Sequence, residues 1–356
     1  MANTFLTPSI IAKEAVMILE NNLIAGSLAY KNFSSEFSKV GDTITVRKPA
    51  TFVANDFSSS ISVQNATETG ITLKLDKFKD VSFAVTTKDL SLTLNQFSEQ
   101  LLQPAMRALH QQIDSDVLSV ANEFPYFYTR GASASIGDFA QMGKILNNNK
   151  APMDNRYCVM SADHYADYIS LDGIYNAEKS GTTDGLRRAS LGRVMDFETY
   201  MDQNIPDLPE NTTTTGNATG TAGNDYITVA TSSDVPIGSM FTIAGDTTIY
   251  TVTGKDTTNK KINIYPLLQA DASSAALTFK TGKKSSLFFH KNAIALVSAP
   301  LEVLSANRTA SESWNGITIR VTMDYDINTK KDIISVDCLY GVKVIDTALG
   351  ARLVSA

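Results

Sequence analysis

The stretch from 41 to 86 constrains the chain most. Thr43, Ile44, Thr45, Val46 and Arg47 alternate polar with apolar residues, and so do Ile71, Thr72, Leu73, Lys74, Leu75 and Asp76. That is the two-residue period of a strand. A run rich in Ser, Thr and Asn from 55 to 70 separates them, so the segment reads as a long two-stranded hairpin with that run at its tip. One face is apolar and the other charged. A ribbon of two strands is marginal in water, so the face carrying Ile44, Val46, Ile71, Leu73 and Leu75 is expected to need a second surface. Directly after it, Leu94, Phe97, Leu101, Leu109, Ile113, Val120 and Phe124 recur at three- and four-residue spacing. This predicts one long amphipathic helix, kinked at Pro104 and ending at Pro125. A ribbon and a long helix of this kind suggest an assembly subunit.

A chain of 356 residues with 43% hydrophobic content buries a sizeable core, and about 100 to 200 residues per domain implies two or three domains. A formal charge of −6 argues against gripping nucleic acid by phosphate neutralisation, which needs concentrated Lys and Arg. Lys13 and Glu14 interrupt the first apolar stretch, which has no basic segment before it, so no secretory leader is expected. There is no apolar run of about 18 residues, so no membrane span is expected. Cys158 and Cys338 lie far apart without CxxC spacing, which fits a reducing compartment.

The organisation follows from composition shifts. Residues 1–32 form a helical arm: Thr7 caps a helix begun by Pro8, lined by Ile11, Ala15 and Ile18, and ending near Gly26. Residues 33–87 form the extended loop and 88–124 the long helix. From 125 to 207 the pattern mixes a helix at 137–147, a strand at 157–160, a helix at 162–170 and a Gly-containing loop through Gly181 and Gly185, which indicates α+β structure. A Thr-rich linker at 212–215 leads into short strand candidates at 226–229, 240–243, 249–252, 261–265 and 276–279. Their spacing predicts a small β-barrel spanning 208–282. Residues 283–307 return to the mixed domain, and 308–356 close the chain with strands at 317–325 and 333–340.

Catalytic and metal signatures are weak. Asp324, Asp326 and Asn328 begin like a calcium loop, but Thr329 stands where Gly is required and Ser335 where the bidentate Glu belongs. A charged hairpin end is the better reading. His110, His164 and His290 are mutually isolated and none has HExxH spacing, so each reads as a surface or packed histidine. Gly216, Gly220 and Gly223 are linker glycines rather than a phosphate cradle. Arg187, Arg188 and Arg193 form one basic cluster, read as a solvated loop making an intersubunit salt bridge, with contact to DNA as the alternative. No cofactor or metal is expected.

The order of arm, extended loop, long helix, mixed domain, linker, barrel and closing strands resembles the Hong Kong 97 fold of major capsid proteins of tailed double-stranded-DNA phages. The inserted barrel resembles the branch typified by the Salmonella short-tailed phage coat protein. The stretch Gly238, Ser239, Met240, Phe241, Thr242, Ile243, Ala244, Gly245 is similar to that barrel's strand and turn. Phe288 through Leu301 resembles the re-entry after it, and Arg320 through Val344 the closing strands.

The resemblance implies an α+β, Hong Kong 97-like shell subunit that performs no catalysis. In such coats the loop lies over a neighbour, which assigns Ile44, Val46, Arg47, Ile71, Leu73, Lys74 and Leu75 to a subunit interface. The turn bearing Asp326, Asn328, Lys330 and Lys331 would reach local three-fold contacts. The long helix would be the spine of a peripheral domain, and 125–207 with 283–307 the axial domain. Implied partners are further copies in hexamers and pentamers, a scaffolding protein, a portal protein and packaged double-stranded DNA by non-specific proximity. A decoration protein is left open. Implied locations are the virion and, during assembly, the host bacterial cytoplasm. Two alternatives stand beside this: an encapsulin-like nanocompartment shell, which the inserted barrel disfavours, and a tail or host-surface binding β protein. The latter would call for an aromatic platform in the barrel, whereas Trp314, the one Trp, falls outside it.

Overall fold

Pro8 opens the first helix, Pro8–Asn22, where a missing N–H and a fixed φ cost nothing. The computed structural model describes residues 8–31, 43–47, 70–85, 98–181, 183–211, 216–232, 235–282, 284–301, 308–328 and 331–355. They fall into two units. One comprises Met1–Asn22, Lys31–Leu109 and Ala295–Ile345, the other Leu23–Tyr30, His110–Ile294 and Asp346–Ala356.

The first unit is built on an antiparallel sheet. Its strands run in the order Ile294–Ala299, Lys331–Val344, Ile317–Asp326, Thr309–Trp314, with Lys77–Val85 also pairing along Lys331–Val344. Val321, Ile319, Ile334, Val336 and Cys338 are buried on one face. The helix Pro8–Asn22 packs on the strands Thr309–Trp314 and Ile317–Asp326. It buries Ile11, Ala12, Ala15, Val16 and Leu19, a stripe at the 3.6-residue period. The helix stops at Asn22, short of the expected end near Gly26. Gly26 lies in a separate turn, Ala25–Leu28, because its N–H is taken by a side chain, the carboxylate of Asp114, at 2.8 Å.

The expected ribbon pairs Thr43–Arg47 with Gly70–Lys74, Thr43 opposite Lys74 and Arg47 opposite Gly70. Part of the second surface that its apolar face needs comes from its own chain. Leu73 and Leu75 are buried with Ala295, Val297, Ala299 and Leu339. Each such leucine contributes roughly 1.5–3 kcal/mol of burial. The sequence pattern could not reveal this cover, because it comes from residues more than 200 positions away.

The long helix is composite: a π-helical turn Ser98–Leu102, an α-helix Gln103–Ser119 and a 3-10 turn Val120–Glu123. Pro104 sits just past the π turn, where the missing N–H does least damage. The wide turn moves the phase of the buried stripe. Leu102, Met106, Leu109, Ile113 and Val117 are buried, while Leu101 and Val120 are half-buried.

The second unit contains a six-stranded sheet in the order Phe127–Thr129, Gly350–Val354, Ser285–His290, Arg156–Met160, Phe197–Met201, Arg193–Val194. The helix Ile136–Asn148 begins at a capping box. Ser135 Oγ accepts from the Gly137 N–H, and Asp138 Oδ2 accepts from the Ser135 N–H at 2.9 Å. Its Phe139, Met142 and Leu146 pack with Cys158, Met160, Tyr168, Phe197, Phe288 and Leu353.

The same unit holds a seven-stranded, nearly closed sheet in the order Ala272–Ala275, Ala218–Gly220, Tyr226–Thr228, Lys261–Tyr265, Ile249–Asp256, Met240–Ile243, Leu277–Phe279. Ile227, Phe241, Tyr250, Val252, Ile262 and Ile264 fill its interior. Two of its strands lie outside the expected strand candidates. Ala218–Gly220 and Ala272–Ala275 carry small and polar residues of low strand propensity, and they form by pairing with each other.

Candidate assembly interface

The residues assigned to the extended loop separate into two groups. In the strand Gly70–Lys74, Ile71 is half-buried, Leu73 is buried and Lys74 is exposed; Leu75, just beyond it, is buried. Ile44, Val46 and Arg47 lie in the partner strand, with their side chains outside the described residues. Among the described side chains of the ribbon, Thr43, Thr45, Thr72 and Lys74 are exposed, and Leu73 and Leu75 are engaged within the chain.

The hairpin Ile317–Asp326 and Lys331–Val344 ends in the turn where Asp326 and Asn328 were placed. Asp326 Oδ1 accepts from the Asn328 N–H at 2.9 Å, an Asx turn, and Asp324 is ion-paired with Arg308. These acids are thus committed to loop geometry, in keeping with a charged hairpin end. Lys331 is exposed opposite Asp326; Lys330 lies outside the described residues. Apolar side chains are exposed here as well. Tyr325 is 50% exposed, Ile333 40% and Ile327 76%; Tyr325, opposite Asp332, and Ile333, opposite Asp324, stand on opposite faces of the hairpin. The signal was present in the sequence as an Ile between Asp and Asn, where turns ordinarily carry polar residues.

In the second unit Arg187 and Arg188 end the short helix Asp184–Arg188. Both are exposed, with Arg188 Nε 3.9 Å from Asp184 Oδ1. Arg193 stands apart on a two-residue strand opposite Glu198. There it lines a cavity of about 460 Å³ with Asn155, Tyr157, Glu198 and Tyr200. The three arginines therefore do not converge on one point. Burial, then the neighbouring Glu198 carboxylate, pushes the Tyr200 phenol up to about 12.

His164 is fully buried. Its Nδ1 meets Ser286 Oγ at 2.6 Å and its Nε2 meets Ser355 Oγ at 2.7 Å. Burial and the Arg130 guanidinium lower its pKa to about 4. With a hydroxyl on each nitrogen it acts as a packed polar tie, one of the two roles expected for it. Asp114 is the residue that sequence reasoning missed: fully buried, it accepts from the Ile24 N–H at 3.1 Å as well as from Gly26. Among the described residues, no group of three or more His, Cys, Asp or Glu is placed to hold a metal ion. No helix among them is long and apolar enough to cross a membrane.

No protein-family model matches the chain, and neither does any curated protein. Solved structures do match. A chain from Mycobacterium phage Che8 is 15% identical, with 93% of this chain and 91% of that one aligned at a TM-score of 0.56. A chain from the capsid structure of the Cyanophage P-SCSP1u is 10% identical, with 90% of this chain and 85% of that one aligned at a TM-score of 0.52. Similarity that runs through both units, at identities too low for a sequence match, means that this chain has the fold of a phage capsid protein.

Proposed function

We propose that the chain is the major capsid protein of a tailed phage, assembling with copies of itself into an icosahedral shell around double-stranded DNA. The observation that carries the reading is the structural likeness to the cyanophage capsid chain over nine-tenths of the sequence. The Hong Kong 97 layout then assigns roles. The helix Pro8–Asn22 belongs to the N-terminal arm, the ribbon to the extended loop and the composite helix to the spine. The first sheet is the peripheral domain, the second the axial domain, and the seven-stranded sheet the inserted barrel. The role is geometric rather than enzymatic.

On this reading the ribbon reaches over a neighbouring subunit through its polar edge and its outer apolar residues, Ile44, Val46 and Ile71. The tip with Tyr325, Ile327, Ile333, Asp326, Asn328, Lys330 and Lys331 meets other tips at local three-fold positions. Burying Ile327 there contributes roughly 1.5–3 kcal/mol per copy. Arg187 and Arg188 on their helix, and Arg193 apart from them on its strand, make salt bridges with neighbouring subunits. A scaffolding protein and a portal are the further partners, with DNA near the shell but not gripped; a decoration protein stays open. The protein resides in the virion after assembly in the host cytoplasm.

Negative-stain electron microscopy of the purified protein, expressed with and without the scaffolding partner, tests this. Closed shells tens of nanometres across are the expected result. A monomer or small ring under both conditions would overturn it, and shells loaded with an enzyme in place of DNA would move it to a nanocompartment.

A further inference from the structure

Two of the largest fully buried side chains are arginines, Arg156 and Arg352. Arg156 has Asp196 and Asp154 near enough to favour its charge. Arg352 differs: burial lowers its pKa to about 10 with no opposing carboxylate, and it makes no ion pair among the described residues. It sits in the strand Gly350–Val354 of the six-stranded sheet. Its Nη1 donates to the Gly238 carbonyl at 2.9 Å and its Nη2 to Thr251 Oγ1 at 2.6 Å. Its Nε has no partner among the described residues. Both acceptors belong to the barrel, and both are neutral.

The joint around this arginine is thin. The six-stranded sheet has 13 buried core residues and the barrel 12, whereas the joint has three, Leu208, Met240 and Val354, with Phe127 and Ile249 packed against them and a Tyr126–Tyr265 ring contact beside them. Each body thus keeps its own core if they part. Gly238 seats the barrel against the 3-10 turn Val120–Glu123: its φ is +89°, and a Cβ there would lie 2.6 Å from the Asn122 carbonyl oxygen. Docking therefore takes a hydrated charge into a dry joint with two neutral acceptors as compensation. A buried charge without a counter-ion weakens an association that apolar packing alone would hold more tightly.

We propose that Arg352 is a charge latch that makes docking of the barrel on the core sheet reversible, so that the barrel detaches and reseats in the folded subunit without either body unfolding. Docked, the guanidinium fixes the barrel through Gly238 and Thr251; undocked, it regains water. The inference concerns the free subunit and does not depend on the shell reading.

Thiol labelling of the full-length subunit tests it. Met240 is fully buried in the joint, and the native thiols Cys158 and Cys338 are fully buried elsewhere, so they report global unfolding. In a Met240→Cys background the introduced thiol should label at least about tenfold faster than Cys158. Adding Thr251→Val, which removes one acceptor but keeps the charge, should speed that labelling by a further tenfold or so. Adding Arg352→Met should slow it. Once Arg352 is replaced, Thr251→Val should have little additional effect. The proposal is overturned by labelling no faster than at Cys158, by a Thr251→Val rate equal to the background, or by faster labelling with Arg352→Met. If Arg352→Met does not fold, the Thr251→Val comparison decides alone.

Discussion

Acidification should weaken the second unit through one histidine. His164 is fully buried between two serine hydroxyls, and its neutral ring fits where an imidazolium would have to shed water next to the Arg130 guanidinium. Asp167, Asp163 and Asp138 pull the other way, but burial and Arg130 prevail, lowering the folded-state pKa from 6.5 to about 4. The unfolded chain therefore binds a proton that the folded chain refuses throughout that window. Stability from His164 is complete above pH 6.5 and is lost as the pH falls toward 4. At about 1.4 kcal/mol per pH unit, the loss is about 2 kcal/mol by pH 5 and about 3 kcal/mol in full. Urea unfolding of the free subunit between pH 7 and pH 5, followed by circular dichroism, measures it. A His164→Gln variant starts from lower stability but lacks this slope, so the gap between the two proteins should narrow by about 2 kcal/mol at pH 5. Parallel curves would show that the ring is not held neutral and would refute the reasoning.

Asp114→Ala should cost roughly 2–5 kcal/mol, because the part-buried N–H of Ile24 and the buried N–H of Gly26 lose their acceptor together; a denaturation midpoint within error of the parent would contradict this. Leu73→Ala should destabilise the isolated subunit by about 2–5 kcal/mol, since the side chain is packed within its own chain; a loss of shells with no change in subunit stability would instead place its partner on a neighbour. Ile327→Asp should leave subunit stability within about 0.5 kcal/mol while abolishing closed shells in micrographs, and shells of normal yield would remove the hairpin tip from the assembly interface.

The sequence was most legible where one face of an element meets water. The alternation at Lys261–Tyr265 predicts the observed strand to the residue, because a half-buried strand writes its burial into a two-residue period. The strands Ala218–Gly220 and Ala272–Ala275 carry no such period, and mutual pairing holds them in place of side-chain pattern. The long helix was legible as a helix but not in phase, since the π turn at Ser98–Leu102 adds residues that periodicity assumes away. Buried charge was the least legible. Asp114 and Arg352 lie in contexts that look solvent-facing, and what satisfies them is backbone and hydroxyl groups roughly 90 to 110 positions distant. At the hairpin end, the charged residues were singled out by type, whereas the exposure of Tyr325, Ile327 and Ile333 needed the geometry.

The strand Gly350–Val354 lies between Phe127–Thr129 and Ser285–His290, and chain order gives that placement a meaning in time. The ribosome makes both flanking strands first, and each waits with an open hydrogen-bonding edge for a strand synthesised later. Ala351 and Leu353, which belong to the core beneath, arrive with it. A copy broken off before residue 350 keeps a vacant slot in the middle of its sheet and a hole in its core, so a shortened chain should fail at the folding step.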